Sequence, residues 1–420
     1  MWWDRVCTGV TRARLRQGSD GQRRLPAQHM PSVTPIYPSP YSNSQRLSLA
    51  AVFSASFGVG LIFGFQPPLM ALVLQRGGAS SFEIGAVTAI SAVAVMLCGP
   101  LYPAAIARLG LRLAVILGIG VSTAMLLLMP LLPGFQGWLA LRFVTGCALG
   151  LEWIASEVWL NTLSSDQSRG TVMGTYATVF AAGVMAGPLL LQITGTAGWR
   201  PFDVGALCLA LTALPLLIVR QTAVRNPGPR GRLQWLRLAR AAPIVMLAAL
   251  IAGLVESAYV TLLPVFGLLR GLDEPASLLL VTVFLAGNVI LQLPIGRLAD
   301  RLGRRRVLTG CASVCVIGPV LLSAAMGTPW LLWPLLLLWG GTMYGFYTQG
   351  IALLGEAYPH AELADANAVF VVVYCAGGIV GPSLGGLAMD CWTPNGLLVF
   401  LSCAPLLLGV GRLPSLRRLA

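Results

Sequence analysis

Apolar residues in this chain do not come in short stripes. From Leu47 onward they fill runs too long for an ordinary soluble helix, each about 20 residues, the length that carries a helix across a bilayer. Twelve such runs lie near 47–74, 82–103, 112–132, 138–160, 171–195 and 203–220, then 243–269, 276–296, 307–327, 330–356, 365–389 and 395–412. Proline and glycine punctuate many of them, which membrane helices tolerate. The pattern predicts an all-α membrane protein with twelve transmembrane helices.

The polar breaks then orient the runs. GRLADRLGRRR, Gly296 to Arg306, packs Arg297, Arg301, Arg304, Arg305 and Arg306 around one carboxylate, Asp300. Five cations cannot lie in hydrocarbon, so this is a short water-facing loop, and loops this rich in arginine stay on the cytoplasmic side. With the N-terminus also inside, only Arg76, Arg200 and Arg270 fall outside and Arg142 falls within a helix. Both termini are therefore expected in the cytoplasm, in a plasma membrane of the bacterial inner-membrane kind. RQTAVRNPGPRGRLQWLRLAR (220–240) is an arginine-rich, turn-rich linker that divides the spans into two six-helix halves. The expected organisation is a disordered cytoplasmic tail at 1–45, a first half at 46–220, a linker at 221–242, a second half at 243–413 and a tail at 414–420. The first tail has no apolar core before Leu47, so it does not read as a secretory signal. An Arg-rich transit peptide and a true start at Met30 are alternatives for it.

Composition fits this picture. Hydrophobic residues make up 56% and charged residues 10%, against about a quarter charged in soluble domains, and mean hydropathy is +0.78. A net charge of +13 would raise nucleic acid as a partner, but the cations sit in loops and tails, so none is expected. The nine cysteines form no CxxC and fall mostly inside apolar runs, where they read as small hydrophobes. His29 and His360 lie outside the spans, so no metal site is expected. Without GxxxxGK[ST] there is no support for a nucleotide-driven cycle. No cofactor and no enzymatic constellation is expected.

The chain also repeats itself at an offset of about 194 residues. PAAIARLGLRL (103–113) falls on GRLADRLGRRR (296–306), LQRGG (74–78) on LLRGL (268–272), and GVMAGP (183–188) on GGIVGP (377–382). Parallel six-helix repeats with the substrate site between them are a known transporter plan. These motifs resemble the major facilitator superfamily. Gly296, Asp300, Arg301, Gly303, Arg304 and Arg305 look like that family's signature loop G-x-L-a-D-R-x-G-R-R. The first copy departs from it, with Pro103 and Ala107 in place of the glycine and the acid, so a latch built on that acid is not expected there. Arg142, Gly146 and Gly150 look like the fourth-helix R-x-x-x-G-x-x-x-G. GPSLGG, with Gly381 and Pro382, has the form of the antiporter glycine-proline motif but lies in the eleventh segment, while GPLLLQ, with Gly187 and Pro188 in the fifth, lacks the paired glycines. SEVWLN (156–161) and the second half resemble the YcaD-type branch. The resemblance covers about 47–412 and implies alternating access by two rocking halves.

Several mid-span residues could line a cavity. At about 100° per residue, Arg142, Gly146, Gly150, Trp153 and Glu157 share one sector, the glycines allowing close helix approach, with Glu152 on another face. Acids at mid-membrane are costly and by default functional. Glu152 reads either as such a group or as a partner for a donor on a neighbouring helix. Glu256, central in the seventh run, suits reversible protonation, or a structural bond to Asn288. Asn288, Gln292 and Gly296 repeat at i, i+4, i+8, a polar stripe fit for a cavity wall. Tyr344, Tyr347 and Gln349 lie mid-span in the tenth segment, and Gln66 precedes Pro67-Pro68, where a broken turn could turn it inward. Glu157 and Glu356, at matching inner helix ends, read as gating or structural, and Arg142 as a site for an anionic substrate or a partner for a helical acid. Glu83 after Ser80 reads as a helix cap. Together these imply a monomeric secondary transporter of a small molecule, coupled to protons. Efflux of an amphipathic compound comes first, import of a small metabolite or a non-transporting sensor or scaffold of the same fold second.

Overall fold

The computed structural model describes residues 43–132, 134–164, 168–219, 237, 240–358 and 360–410. The tail expected at 1–45, the linker at 221–242 and the last residues lie almost wholly outside these. Among the described residues every regular element is helical. The helices are α1 (Asn43–Arg76), α2 (Ser81–Cys98), α3 (Tyr102–Leu109), α4 (Leu111–Leu128), α5 (Phe135–Leu163), α6 (Arg169–Thr194), α7 (Arg200–Thr212) and α8 (Leu214–Ile218). Then come α9 (Pro243–Leu269), α10 (Glu274–Leu302), α11 (Arg304–Ala325), α12 (Pro329–Ala357), α13 (His360–Cys391) and α14 (Gly396–Val410).

Ten helices among the described residues are long and apolar enough to cross a bilayer, with 81–109 and 200–218 each counted as one. The other two expected spans are helical but fall short of that mark. α12 runs 29 residues, but tryptophan, tyrosine and glycine dilute its apolarity. α14 has only 15 residues. Large apolar side chains face outward, among them Ile193, Ile218, Leu293 and Trp330, each more than 60% exposed. Such a surface is at home in lipid, where every backbone polar group must be satisfied within the helix.

Local chemistry sets the helix ends. Ser80 and Glu83 form a capping box at the start of α2, with Glu83 N–H donating to Ser80 Oγ at 3.2 Å and Ser80 N–H to Glu83 Oε2 at 2.8 Å, as the sequence predicts. Asp273 Oδ1 accepts from Ala276 N–H at the start of α10. Gly110 and Gly303, the last residues of the two Arg-Leu-Gly copies, have φ of 79° and 91°. Each ends one helix and begins the next, a conformation that costs glycine nothing. The sequence repeat is thus also a repeat of backbone geometry. α1 continues through Pro67 and Pro68 without interruption, so the expected broken turn at Gln66 does not occur.

Glycines bring the central helices together. A methyl on Gly187 of α6 would lie 2.8 Å from the Leu61 carbonyl oxygen of α1, and one on Gly381 of α13 would lie 2.8 Å from the Leu254 carbonyl carbon of α9. The GVMAGP and GGIVGP copies therefore serve the same kind of contact, α1 on α6 and α9 on α13. Pro188 and Pro382 follow these glycines inside continuous helices, where membrane helices tolerate proline. Gly146 seats α5 against Ser91 of α2, and Gly150 seats it against the Tyr102 ring of α3. Backbone approach of this kind is the usual cohesive device between helices in lipid, where no hydrophobic drive separates helix from solvent.

Candidate functional site

α9 carries Glu256 at its centre, among residues that are almost all buried. Both carboxylate oxygens are engaged. Tyr344 of α12 donates to Oε1 at 2.7 Å, and Tyr374 of α13 donates to Oε2 at 2.6 Å. Tyr259, one turn along α9, donates in turn to the Tyr344 oxygen at 3.0 Å. The donor to Glu256 is therefore not Asn288, as one reading of the sequence has it. Asn288 instead accepts from Gln292 at 2.6 Å, both half-buried on α10, and neither borders the cavity beside Glu256. The i, i+4 spacing satisfies the polar pair on its own helix. A methyl on Gly296 would meet nothing, so no close contact completes the stripe.

Glu256 and Tyr374 border a cavity of about 180 Å³ between α1, α2, α5, α6, α9 and α13. Arg142 and Trp153 of α5, Phe63 of α1 and Phe180 of α6 border it as well. The three rings form one cluster, with centroids 5.8 to 6.0 Å apart. Gly146 also lines the cavity, so Arg142, Gly146 and Trp153 of the sector predicted on the fourth segment face it, whereas Gly150 packs on Tyr102 and Glu157 is not among its lining residues.

Arg142 is 5% exposed, and no acidic residue among the described residues pairs with it. Its Nη1 donates to Gln66 Oε1 of α1, its carbonyl accepts from Ser91 Oγ, and its Nε has no hydrogen-bond partner. Gln66 is buried and passes its own amide hydrogen to Met129 Sδ at 3.5 Å. The expected pairing of Arg142 with a helical acid is therefore replaced by a neutral amide.

Glu152 lies away from the cavity. Its Oε1 accepts from Ser156 at 2.7 Å within the same helix, and its Cβ meets Gly118 of α4. Its donor comes from its own helix, because serine at i+4 stands one turn above it, and among the described residues no neighbouring helix supplies one. Glu157 accepts from the Trp153 indole N–H at 2.8 Å. The ring of Tyr347 lies 5.2 Å from that of Tyr374. Gln349 is buried with its side-chain oxygen unpartnered.

The arginine-rich loop behaves differently from its reading around Asp300. Asp300 is exposed and makes no ion pair among the described residues, and Arg301 and Arg305 are exposed as well. Arg304 instead pairs with Glu356 of α12 at 3.0 Å and donates to the Ala352 carbonyl at 2.8 Å. It thereby ties the start of α11 to the end of α12. At the opposite end of the bundle Arg76 pairs with Glu274 and Thr196. There Asp390, late in α13, accepts from the backbone N–H groups of Ser81 and Phe82. The cysteines are mixed: Cys311 and Cys315 are buried, but Cys391 and Cys403 are exposed.

Tyr374, Phe63, Phe180 and Asp390 escape the sequence reading. The rings look like ordinary packing residues. Asp390 does carry a signal, because an acid in the last turn opposes its own helix dipole and so points to service elsewhere.

Membrane-length helices packed around a cavity lined by one acid and one arginine mark a multi-pass membrane protein. The family profile of the Major Facilitator Superfamily matches residues 48–280 and 270–418, and the chain belongs to that superfamily. It is a transporter and not an enzyme. The uncharacterized MFS-type transporter YcaD of Shigella flexneri is 25% identical over 370 residues, 87% of this chain and 94% of that one. The uncharacterized MFS-type transporter YfkF of Bacillus subtilis (strain 168) is 24% identical over 354 residues, 82% and 89% of the two chains. The fold is similar to that of the nucleoside transporter NupG, with a TM-score of 0.70 at 14% identity over 89% and 98% of the chains. It is also similar to that of a D-xylose-proton symporter, with a TM-score of 0.69 at 14% identity over 88% and 97%.

Proposed function

We propose that the chain is a proton-coupled secondary transporter in which two six-helix halves, twelve spans in all, rock about the cavity between Arg142 and Glu256. Both termini then lie in the cytoplasm of a plasma membrane, and the protein works as a monomer. Glu256 is the proton site in this reading. The observation that carries it is the double hydrogen bonding of that carboxylate by tyrosines from two further helices, on the wall of a cavity between helices. An acid at this depth is held for a function, since isolated charge in a membrane interior is costly.

Efflux of an amphipathic compound is the direction we take first, because Phe63, Trp153, Phe180 and Tyr374 line the same, largely apolar cavity as Arg142. Import of a small metabolite is the second reading, favoured by the lining cation Arg142, which has no acidic partner among the described residues. Flux in proteoliposomes with and without an imposed pH gradient tests coupling, and equal rates would remove it. A non-transporting sensor of the same fold would tolerate alanine at Glu256, Asn288 and Gln292 together.

A further inference from the structure

We infer that the cavity takes an amphipathic anion, its negative group on Arg142 and its apolar or aromatic body against Phe63, Trp153 and Phe180. This deepens the proposed transport reading and rests on it. Three observations carry it, and each is geometric. First, Arg142 borders the cavity yet is almost wholly buried, and a buried cation is ordinarily paired. Its described side-chain partner is the neutral Gln66 amide, so the guanidinium charge remains uncompensated. Second, its Nε–H has no partner, and a buried donor left unmade costs about 1–3 kcal/mol. A carboxylate, sulfonate or phosphate oxygen would satisfy donor and charge at once, and the planar guanidinium is shaped for such groups. Third, Phe63, Trp153 and Phe180 form one ring cluster lining the same cavity, and no further cation among the described residues lines it.

The opposite wall does not contradict this. Glu256 has both oxygens engaged by tyrosines of other helices, and an anion at Arg142 and a proton on Glu256 are compatible occupants of one cavity. A cationic substrate is the poorer fit, because it would have to displace two tyrosine donors to reach the acid while facing an uncompensated arginine.

The test uses the purified full-length chain in detergent and three probes of equal size: phenylacetate, phenylacetamide and phenethylamine. Quenching of tryptophan fluorescence and thermal protection report binding. The carboxylate is expected to bind about ten-fold or more tighter than the amide, the gain of a charged hydrogen bond. Arg142→Gln should erase that difference, and Arg142→Lys should keep part of it. If Arg142→Gln does not fold, Arg142→Lys and Trp153→Phe, which keep charge and ring respectively, carry the comparison. Equal binding of all three probes, preference for the amine, or no binding by any overturns the inference. Carboxylate preference without pH-driven flux would keep the anion site and remove proton coupling. Flux indifferent to Arg142 substitution would remove the anion site and leave coupling standing.

Discussion

Asp390 caps a helix that is not its own. Its carboxylate accepts from the Ser81 N–H at 2.8 Å across 309 residues of sequence and from Phe82 N–H at 2.9 Å. It closes the N-terminus of α2, where unpaired amides and the helix dipole favour a negative charge. Gly386, one turn earlier in α13, lets the two backbones meet, since a methyl there would lie 2.8 Å from Phe82 N. α2 and α13 are thereby fastened at the end of the bundle that also holds Arg76, Thr196 and Glu274.

Removing this charge should loosen that end alone. Asp390→Asn is expected to speed amide exchange at the start of α2 about ten-fold, the loss of a charge-assisted bond, with Asp390→Glu in between. Hydrogen exchange read by mass spectrometry checks it, and unchanged exchange at Ser81 and Phe82 would show the cap to be idle.

Glu256→Gln should abolish flux driven by a pH gradient while leaving substrate exchange at equal pH within a few-fold of the unaltered protein. The amide keeps the shape of the carboxylate but not its proton. Counterflow beside gradient-driven flux separates the two, and loss of both together would mean a structural role only.

The two tyrosines can be resolved by a double-mutant cycle. Tyr344→Phe and Tyr374→Phe each remove one donor to Glu256. Hydrogen bonds between membrane helices contribute about 0.6 kcal/mol on average, so each single change should leave the protein folded. Because both act on one carboxylate, the effects on gradient-driven flux should not add. Additive losses would show that the hydroxyls work independently.

At the loop, the Arg304–Glu356 pair has side chains 34% and 58% exposed. A pair so open to water contributes about 0–1 kcal/mol. Glu356→Gln should therefore barely move the thermal midpoint, and any gating role would appear as slowed turnover at unchanged stability. Asp300→Asn is expected to leave stability unchanged and to slow transport less than Glu356→Gln, since Asp300 makes no ion pair among the described residues. A larger loss of turnover with Asp300→Asn would return the latch to that acid.

Packing glycines offer a contrast within the helices themselves. Gly381→Val drives a side chain into the Leu254 backbone, whereas at Gly355 an added methyl meets nothing. The first should destabilise by about 1–3 kcal/mol and the second, as Gly355→Ala, should be neutral or better. Thermal melts in detergent compare them directly.

Spanning lipid requires long apolar runs, which makes the helices readable, and within the arginine-rich stretch one helix ends and the next begins at Gly303, where φ is positive. Gly110 and Gly303, seen first as a repeated letter pattern, prove to be the same backbone device used twice. Glu256 is legible for a related reason, since an acid amid eighteen or more apolar neighbours stands out. Its partners are not legible. Tyr344 and Tyr374 reach it from 88 and 118 residues away in sequence, and nothing in periodicity says which aromatic ring turns inward. Glu152 differs, for its mid-span position is apparent and its partner, Ser156, stands at i+4 on its own helix, within reach of the sequence. The Arg142–Gln66 bond joins α5 to α1, a pairing that only the packing of the two helices decides.

A final consequence concerns the bookkeeping of hydroxyl hydrogens around Glu256. The ionised acid receives one hydrogen from each tyrosine, and Tyr344 already receives another from Tyr259. Once neutral, the acid offers a hydrogen of its own, so a tyrosine must rotate its O–H bond and seek a different acceptor. One added proton thus turns around one of the two tyrosine links, at a point where three separate rods meet.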